Sequence, residues 1–269
     1  MSKTVIITGS STGIGRASVI KFQEAGWNVV ATMRSPEKEE ELNKLENVLV
    51  TKLDVLDQAT IDATVQAALD KFGQIDVLVN NAGYGAFGPM ESVPRDKILR
   101  QFNTNVIGLM DVMRTVIPHM RERRSGVIIN ISSVGGRMTY PMFSLYHGTK
   151  FAVEGITESM AYEMAPLGIQ MKIVEPGAIA TDFAGRSLDI SATDVPEYQR
   201  IIEKLMKGFS ENRNVSPASL AADVIFGAAT DGTDTIRYTA GEDARVLMAN
   251  RKQADDATFM AGIRQRFDI

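Results

Sequence analysis

The chain of 269 residues is long enough for one large α/β domain, and its 44% apolar content is that of an ordinary globular protein. With no cysteine and only two histidines, it cannot form disulfides, a catalytic thiolate or a histidine-rich metal site, so we expect no metal. A net charge of −4 gives no reason to expect a nucleic-acid partner. No apolar run is long enough to span a membrane and no signal-peptide pattern opens the chain, so we expect a cytoplasmic protein.

Seven short apolar runs rich in β-branched residues recur along the chain and alternate with helical patterns. The runs are Val5–Thr8, Asn28–Thr32, Val48–Leu53, Val77–Asn80, Gly126–Ser132, Gln170–Glu175 and a weaker Thr235–Thr239. Near-continuous apolar strands that alternate with helices form parallel sheets covered on both faces. The pattern therefore predicts a single α/β domain over residues 1–269, doubly wound and Rossmann-type, with a central, mostly parallel seven-stranded sheet flanked by helices.

A long segment of mixed polarity, residues 181–214, follows the sixth strand. Insertions after the carboxyl ends of parallel strands commonly build substrate sites. We therefore expect this segment to be a lid over the substrate.

A glycine-rich turn, Thr8–Gly15, separates the first strand from the first helix. Glycines let the backbone turn sharply, and free N–H groups at a helix N-terminus attract phosphate. The order strand, glycine turn and helix is typical of a dinucleotide site, although a ligand-free tight turn is the alternative. The residues expected to contact the cofactor here are Gly9, Ser11, Thr12, Gly13, Ile14 and Gly15.

The second strand ends at Arg34, where NAD-specific Rossmann sites usually carry an acidic residue that holds the ribose 2′-OH. An arginine suits a 2′-phosphate instead, through charge-assisted hydrogen bonds, and Ser11 adds a hydroxyl. The residue therefore favours NADP(H), with NAD(H) as the second candidate. The alternative interpretation is that Arg34 is an ordinary solvated loop residue.

Ser133 follows the fifth strand, and Tyr146 and Lys150 stand four residues apart in a helical pattern. Positions i and i+4 share a helix face, so the phenol and the ammonium point the same way. We expect the cation to lower the tyrosine pKa from about 10, so that the phenol transfers a proton near neutral pH. Taken alone, a tyrosine and a lysine at this spacing could also be an ordinary pair on an exposed helix. The presence of the glycine turn and Ser133 in the same chain favours a catalytic role instead.

The chain resembles the short-chain dehydrogenase/reductase family over nearly its whole length. The motifs that carry the resemblance are Thr8–Gly15, Asp54–Val55, Asn80–Gly83, Asn105, Ser133, Tyr146, Lys150 and Pro176–Gly177, in the order of the family. The resemblance implies that Tyr146 is the general acid in reduction and the base in oxidation, and that Ser133 orients the carbonyl. It also implies that Lys150 binds the nicotinamide ribose and that Asn105 holds a water linking Lys150 to solvent.

The same resemblance implies further cofactor contacts. Asp54 and Val55 are expected to flank the adenine, and Tyr146 and Lys150 to border the nicotinamide end. The residues expected to line the rest of the cleft are Asn81, Ala82, Gly83, Pro176, Gly177, Ile179 (on the carboxamide) and Thr181. The Ala31–Arg34 ending of the second strand resembles the NADP-preferring branch, which includes 17β-hydroxysteroid and retinol dehydrogenase-like carbonyl reductases.

These features favour an NADP(H)-dependent oxidoreductase, a carbonyl reductase or alcohol dehydrogenase. The apolar residues expected around the pocket suit a hydrophobic ketone, aldehyde or secondary alcohol, although many of them also suit ordinary core packing. The alternatives are an NAD-dependent alcohol dehydrogenase and a non-catalytic NADP(H)-sensing regulator on the same fold. The apolar helices Ile98–Met120 and Phe151–Met164 lead us to expect a homodimer or homotetramer, as is usual in the family.

Overall fold

A computed structural model describes residues 2–211 and 215–269 of the protein. Its strands are β1 Thr4–Ile7, β2 Asn28–Met33, β3 Val48–Lys52, β4 Val77–Asn80, β5 Gly85–Phe87, β6 Gly126–Ile131, β7 Ile169–Pro176, β8 Ile179–Ala180, β9 Leu188–Ile190, β10 Ser216–Pro217 and β11 Arg237–Ala240. Its helices are α1 Gly13–Glu24, α2 Gln58–Phe72, α3 Arg95–Phe102, α4 Gly108–Arg123, α5 Ser144–Met164, α6 Phe183–Arg186, α7 Pro196–Glu211, α8 Ala218–Thr230, α9 Glu242–Gln253 and α10 Asp256–Phe267.

Seven strands form the central sheet of the described residues, in the order β11-β7-β6-β4-β1-β2-β3. All of the neighbouring strands pair parallel, so the predicted sheet is confirmed and the parallel arrangement is complete. The strand order reverses between β1 and β4. In such sheets the ligand crevice opens at the carboxyl ends of the strands beside this reversal.

The two faces of the sheet bury separate apolar clusters. On β1, Val5 and Ile7 pack with α1 and α8, whereas Ile6 between them packs with α2 and α4. Successive strand residues point to opposite faces, so a strand covered on both sides must be apolar at every position. This explains why β1 reads as an unbroken apolar run.

The helix predicted at Ile98–Met120 is present, but it contains a wider turn at Asn103–Ile107, where the hydrogen bonds follow the π pattern. Such bulges shift the side chains that follow them and often occur at functional sites. The second predicted helix, Phe151–Met164, is the later part of α5.

The segment predicted to be a lid, residues 181–214, contains α6, β9 and α7, and its last three residues lie outside the described part of the chain. β9 pairs in parallel with β5, in the register Gly85 to Leu188. Lys97 on α3 forms an ion pair of 2.5 Å with Asp189. The start of the segment is therefore attached to the main body beside the site.

The C-terminal helix α10 supports α7. Phe267 is fully buried, and a Cβ added at Gly208 of α7 would lie 2.8 Å from its ring. The absence of a side chain at Gly208 therefore lets the two helices pack closely. The C-terminal residues thus pack against the segment that follows β7.

Candidate active site

The glycine turn is held against the end of β4 by one asparagine and one threonine. Asn81 Nδ2 donates to the carbonyl oxygens of Thr8 (2.9 Å) and Gly9 (3.0 Å). In return, Thr8 Oγ1 accepts from the backbone N–H groups of Asn81 (2.9 Å) and Ala82 (3.0 Å). These four hydrogen bonds bring the predicted motifs of β1 and β4 together at the strand-order reversal.

Gly15 shows why this turn needs glycine. A Cβ at this position would lie 2.4 Å from the carbonyl oxygen of Gly9 and 2.6 Å from Asn81 Nδ2. Gly9 and Gly13 have positive φ angles of 70° and 58°, which residues with side chains rarely adopt.

The N-terminus of α1 presents a cradle that fits a diphosphate. Thr12 is its N-cap residue, but the Thr12 side chain makes no capping hydrogen bond, and the first turn contains no acidic residue. The first N–H groups of a helix lack partners within the helix and carry its positive dipole end. A dinucleotide phosphate therefore meets donors and a favourable field here.

The residues expected to lie near the adenine follow the ends of β2 and β3. Arg34 is exposed directly after β2, and Ser11 is half-buried in the glycine turn. After β3, Asp54 Oδ1 accepts from the Leu56 backbone at 3.0 Å, and Val55 is buried. A Cβ at Gly108 would lie 2.6 Å from the Val55 carbonyl oxygen, so α4 packs closely there.

An ion pair missed by the sequence reasoning anchors the loop that follows Arg34. Arg16 on α1 binds Glu39 at 2.7 Å and also pairs with Glu41. The hydrogen bond from Arg16, aided by the backbone N–H groups of Leu42 and Glu41, lowers the pKa of Glu39 to about 2. Because Arg16 and Glu39 are 23 residues apart, no short motif indicates the pair.

The structure brings Ser133, Tyr146 and Lys150 close together. Ser133 directly follows β6, and Tyr146 lies on the first turn of α5, with its phenol near enough to the Ser133 hydroxyl for that group to lower the phenol pKa. Ser133 Oγ also accepts from the Gly135 backbone at 3.0 Å. Lys150 Nζ donates to the Ile131 carbonyl at 2.8 Å and lies 5.8 Å from the centre of the Tyr146 ring.

The expectation that Lys150 lowers the tyrosine pKa is not met by this arrangement. Burial raises the pKa of Tyr146 above its usual 10, and the hydrogen bond from Ser133 only partly opposes this. Lys150 is itself desolvated, which lowers its pKa to about 8. Its ammonium donates a hydrogen bond to the Ile131 backbone carbonyl, and the phenol pKa stays raised despite this nearby cation.

Asn105 lies in the π-type turn and is 2% exposed. Its Nδ2 donates to the Tyr84 carbonyl (2.8 Å) and to Thr149 Oγ1 (3.1 Å), and its Oδ1 accepts from the Tyr84 backbone (3.1 Å). Asn105 therefore fixes the loop after Gly83 against α5, one residue before Lys150. The predicted water link to Lys150 stays a prediction.

His147 is a second residue that sequence reasoning missed, because neighbouring helix residues point apart and nothing in the motif indicates a role. Its Nε2 accepts from the Tyr140 backbone at 2.9 Å, so its Nδ1 carries the proton that is donated to the Gly135 carbonyl at 2.8 Å. The imidazole thus ties α5 to the turn that carries Ser133. Burial lowers the pKa of His147 below its usual 6.5.

The segment after β7 is held by Asp243 on α9, also unexpected from the sequence. The Ala178 N–H donates to Asp243 Oδ2 at 2.7 Å, and a Cβ at Gly177 would collide with this carboxylate at 2.3 Å. Pro176 is buried at the end of β7, and Ile179 lies in β8, which pairs with β10. Thr181 lies against the glycine turn, since a Cβ added at Gly13 would lie 3.2 Å from the Thr181 methyl group.

Aromatic and aliphatic side chains form the wall beside Tyr146. The ring centre of Phe183 lies 5.8 Å from that of Tyr146, and Phe143 lies at 6.4 Å. Phe143 belongs to a packed apolar cluster whose other members are Phe87, Tyr140, Met142, Leu188, Ile201, Ile202, Leu205, Phe209, Ile263 and Phe267. The wall combines the predicted lid with helix α10.

A pair of buried carboxylates lies behind Lys150. Glu154, one helical turn after Lys150, and Glu175 on β7 share the side chain of Arg237, at 2.9 Å and 3.7 Å. Burial and the charge of Glu154 raise the pKa of Glu175 to about 7, against the attraction of Arg137 and Arg237. Glu175 therefore titrates near neutral pH.

The family model described as short chain dehydrogenase matches residues 3–189. The chain belongs to the short-chain dehydrogenase/reductase family. An uncharacterised oxidoreductase of Schizosaccharomyces pombe is 42% identical over 238 residues, which are 88% of this chain and all of that protein. The family membership makes this protein an oxidoreductase.

Solved structures of the family match the fold. A short-chain dehydrogenase from Streptomyces avermitilis is 32% identical, has a TM-score of 0.85, and the match covers 99% of this chain and 96% of that one. The protein ElxO with NADP bound is 28% identical with a TM-score of 0.75, over 91% of this chain and all of that one.

Among the described residues, no group of three or more His, Asp or Glu side chains is placed to hold a metal ion. No helix in those parts of the chain combines the length and the apolar character that crossing a membrane requires.

We predict that His147 makes stability fall at acid pH. Because its folded-state pKa lies below 6.5, the unfolded chain binds more protons below that pH, so the stability contribution is present above pH 6.5 and is lost as the pH falls. The difference in unfolding free energy between the parent and His147→Gln should shrink between pH 7 and pH 5, by up to about 1.4 kcal/mol per pH unit. Denaturant unfolding at several pH values measures it.

Subtracting the unfolding free energy of the variant from that of the parent cancels the contributions of the other titrating groups. These include Glu175, whose raised pKa changes stability with pH in the opposite direction. His119→Gln measures the separate contribution of the second histidine, which should have the same sign because burial also lowers the pKa of His119. A parent-minus-variant difference for His147→Gln that stays constant over this pH range would contradict the prediction.

Proposed function

We propose that the protein is an NADP(H)-dependent carbonyl reductase or alcohol dehydrogenase acting on a hydrophobic ketone, aldehyde or secondary alcohol. The observation that carries the proposal is the meeting of Ser133, Tyr146 and Lys150 in a fold whose helix α1 begins, after the glycine turn, with no side-chain cap. It supports a proton donor that works together with a cradle for a dinucleotide phosphate.

The chemistry follows from the hydroxyl groups. A bound nicotinamide supplies hydride for reduction and accepts it in oxidation. In reduction, Ser133 Oγ donates a hydrogen bond to the carbonyl oxygen, and Tyr146 Oη passes its proton to that oxygen as the carbon receives hydride. In oxidation the tyrosine oxygen takes the alcohol proton back.

Lys150 serves this transfer through its charge and position. Its pKa of about 8 leaves most molecules protonated at neutral pH, so an ammonium stands close to the phenolate that reduction leaves behind. The expected Asn105 water would return a proton from solvent. Phe183 packs edge-on against the Tyr146 ring and would limit the access of water to the reacting oxygen.

The cofactor preference is proposed from the end of β2. Arg34 is exposed at the carboxyl edge of the sheet, and Ser11 lies in the adjacent turn. A guanidinium matches phosphate oxygens in two places at once, which supports NADP(H) over NAD(H). The NADP-bound ElxO structure supports the same choice. An NAD-dependent alcohol dehydrogenase is the second candidate.

The substrate class is proposed from the wall beside Tyr146, where aromatic and aliphatic side chains predominate. Apolar walls with a few polar groups suit hydrophobic ligands. A non-catalytic NADP(H)-sensing regulator is disfavoured because the assembled tyrosine and lysine have no evident use in such a protein.

We further propose a cytoplasmic homodimer or homotetramer. Large apolar side chains stay exposed along α3, the π-type turn and α5 of the single chain: Leu99, Phe102, Ile107, Phe151 and Tyr162. Exposed apolar surface on neighbouring helices is typical of an interface.

Tyr146→Phe should lower kcat by orders of magnitude, because the ring stays while the proton donor is lost. NADPH binding should be retained. The measurement is the change in NADPH absorbance with a panel of hydrophobic ketones and aldehydes, and Tyr162→Phe on the exposed side of α5 is the matched control. Near-normal turnover by Tyr146→Phe would overturn the assigned mechanism.

Arg34→Ala should weaken NADPH roughly ten- to a hundredfold and leave NADH almost unchanged, since a hydrogen bond to a charged group contributes about 1.5–3 kcal/mol. The measurement is kcat/KM for both cofactors. Arg121→Ala, an exposed arginine at the end of α4, is the control. Equal efficiency with both cofactors in the parent, unchanged in Arg34→Ala, would contradict NADP(H) preference.

Light scattering at micromolar concentration should give the mass of two or four chains, and Phe151→Glu should reduce it by placing a charge in the apolar contact. Met260→Glu, at an equally exposed apolar site on α10, should leave the mass unchanged. A stable monomer in the parent would rule out the oligomer.

A further inference from the structure

A single helical turn, α6, touches both ends of the candidate active site. Phe183, its first residue, packs edge-on against Tyr146. Arg186, its last residue, donates from Nη2 to Thr12 Oγ1 in the glycine turn. Residues three apart lie on the same side of a helix, so one turn connects the proton donor to the start of α1.

Arg186 contacts the N-terminus of α1, where the helix dipole is unfavourable for a positively charged side chain. Thr12 is the N-cap of α1, whose N-terminus carries the positive end of the helix dipole, and the first turn holds no acidic residue. No carboxylate forms an ion pair with Arg186 within residues 2–211 and 215–269. A guanidinium beside a helix N-terminus is favourable when an anion lies between them.

We propose that Arg186 binds the diphosphate of the dinucleotide cofactor and that this contact holds α6 so that Phe183 covers Tyr146. The inference rests on the proposed function, because it assumes that the cradle at α1 takes a dinucleotide. The guanidinium has several donors in a planar fork that matches phosphate oxygens. Thr12 positions it until the phosphate is bound.

Arg186 and Arg34 lie at different places in the fold, so they should bind different phosphate groups of the cofactor. Arg34 follows β2, whereas Thr12 caps α1 after β1. The diphosphate is common to both cofactors, so the contribution of Arg186 should be the same for NADPH and NADH. The contribution of Arg34 should differ between them.

Equilibrium titration of cofactor fluorescence measures the first consequence. Arg186→Ala should weaken NADPH and NADH by the same factor, about tenfold, as expected for one exposed charge-assisted contact. Arg186→Lys should recover part of the affinity. Arg200→Ala removes the same charge from α7 in the same segment and should change neither affinity.

Three results of the titration would overturn the inference. They are unchanged affinity in Arg186→Ala, a loss confined to NADPH, and an equal loss in Arg200→Ala, which would reveal a general charge effect. Failure of the parent to bind either cofactor would instead defeat the proposed function. The two failures are therefore distinguishable.

Hydrogen exchange followed by mass spectrometry tests the coupling to the lid. Adding NADPH at saturating concentration should slow exchange in residues 183–190 of the parent. The slowing should be clearly smaller in Arg186→Ala, even when the cofactor concentration is raised to saturate that variant. Equal protection in the two proteins would show that Arg186 does not hold α6.

Discussion

The close approach of the glycine turn to the end of β4 is the constraint on which the rest of the site depends. A Cβ at Gly15 would lie 2.4 Å from the Gly9 carbonyl, and Asn81 occupies the remaining space by bonding to Thr8 and Gly9. This contact between the glycine turn and Asn81 positions the N-terminus of α1 beside the strand-order reversal. The phosphate cradle is thus a product of sheet order and glycine packing together.

The position of Tyr146 and Lys150 depends on a different set of contacts. These contacts attach the turn that carries Ser133 and the π-type turn that carries Asn105 to helix α5. His147 bonds to the Gly135 carbonyl and the Tyr140 backbone, and Asn105 bonds to Thr149. These contacts lie next to Tyr146 and Lys150 in the chain and fix the neighbouring segments against α5. Fixed neighbours of this kind keep a proton donor within reach of a substrate oxygen.

Local pattern predicted the fold well, and packing explains where it was incomplete. All seven strands of the central sheet lie close to the predicted runs, because a parallel strand buried on both faces must be apolar throughout. The pairing of β9 with β5 and the packing of α10 under α7 were not predicted. Both join segments far apart in the chain, and neither short strand has a periodicity that identifies it.

The sequence by itself determined the parallel α/β architecture, the glycine turn and the shared face of Tyr146 and Lys150, because each of these follows from residues close together in the chain. Only the tertiary structure decided the charge state of the site. The pKa of Lys150 is lowered to about 8 and that of Tyr146 is raised, because Lys150 is buried and the Tyr146 phenol is desolvated. It also decided the contacts of Asp243 and Arg186, since long-range packing brings them to the ends of β7 and β1.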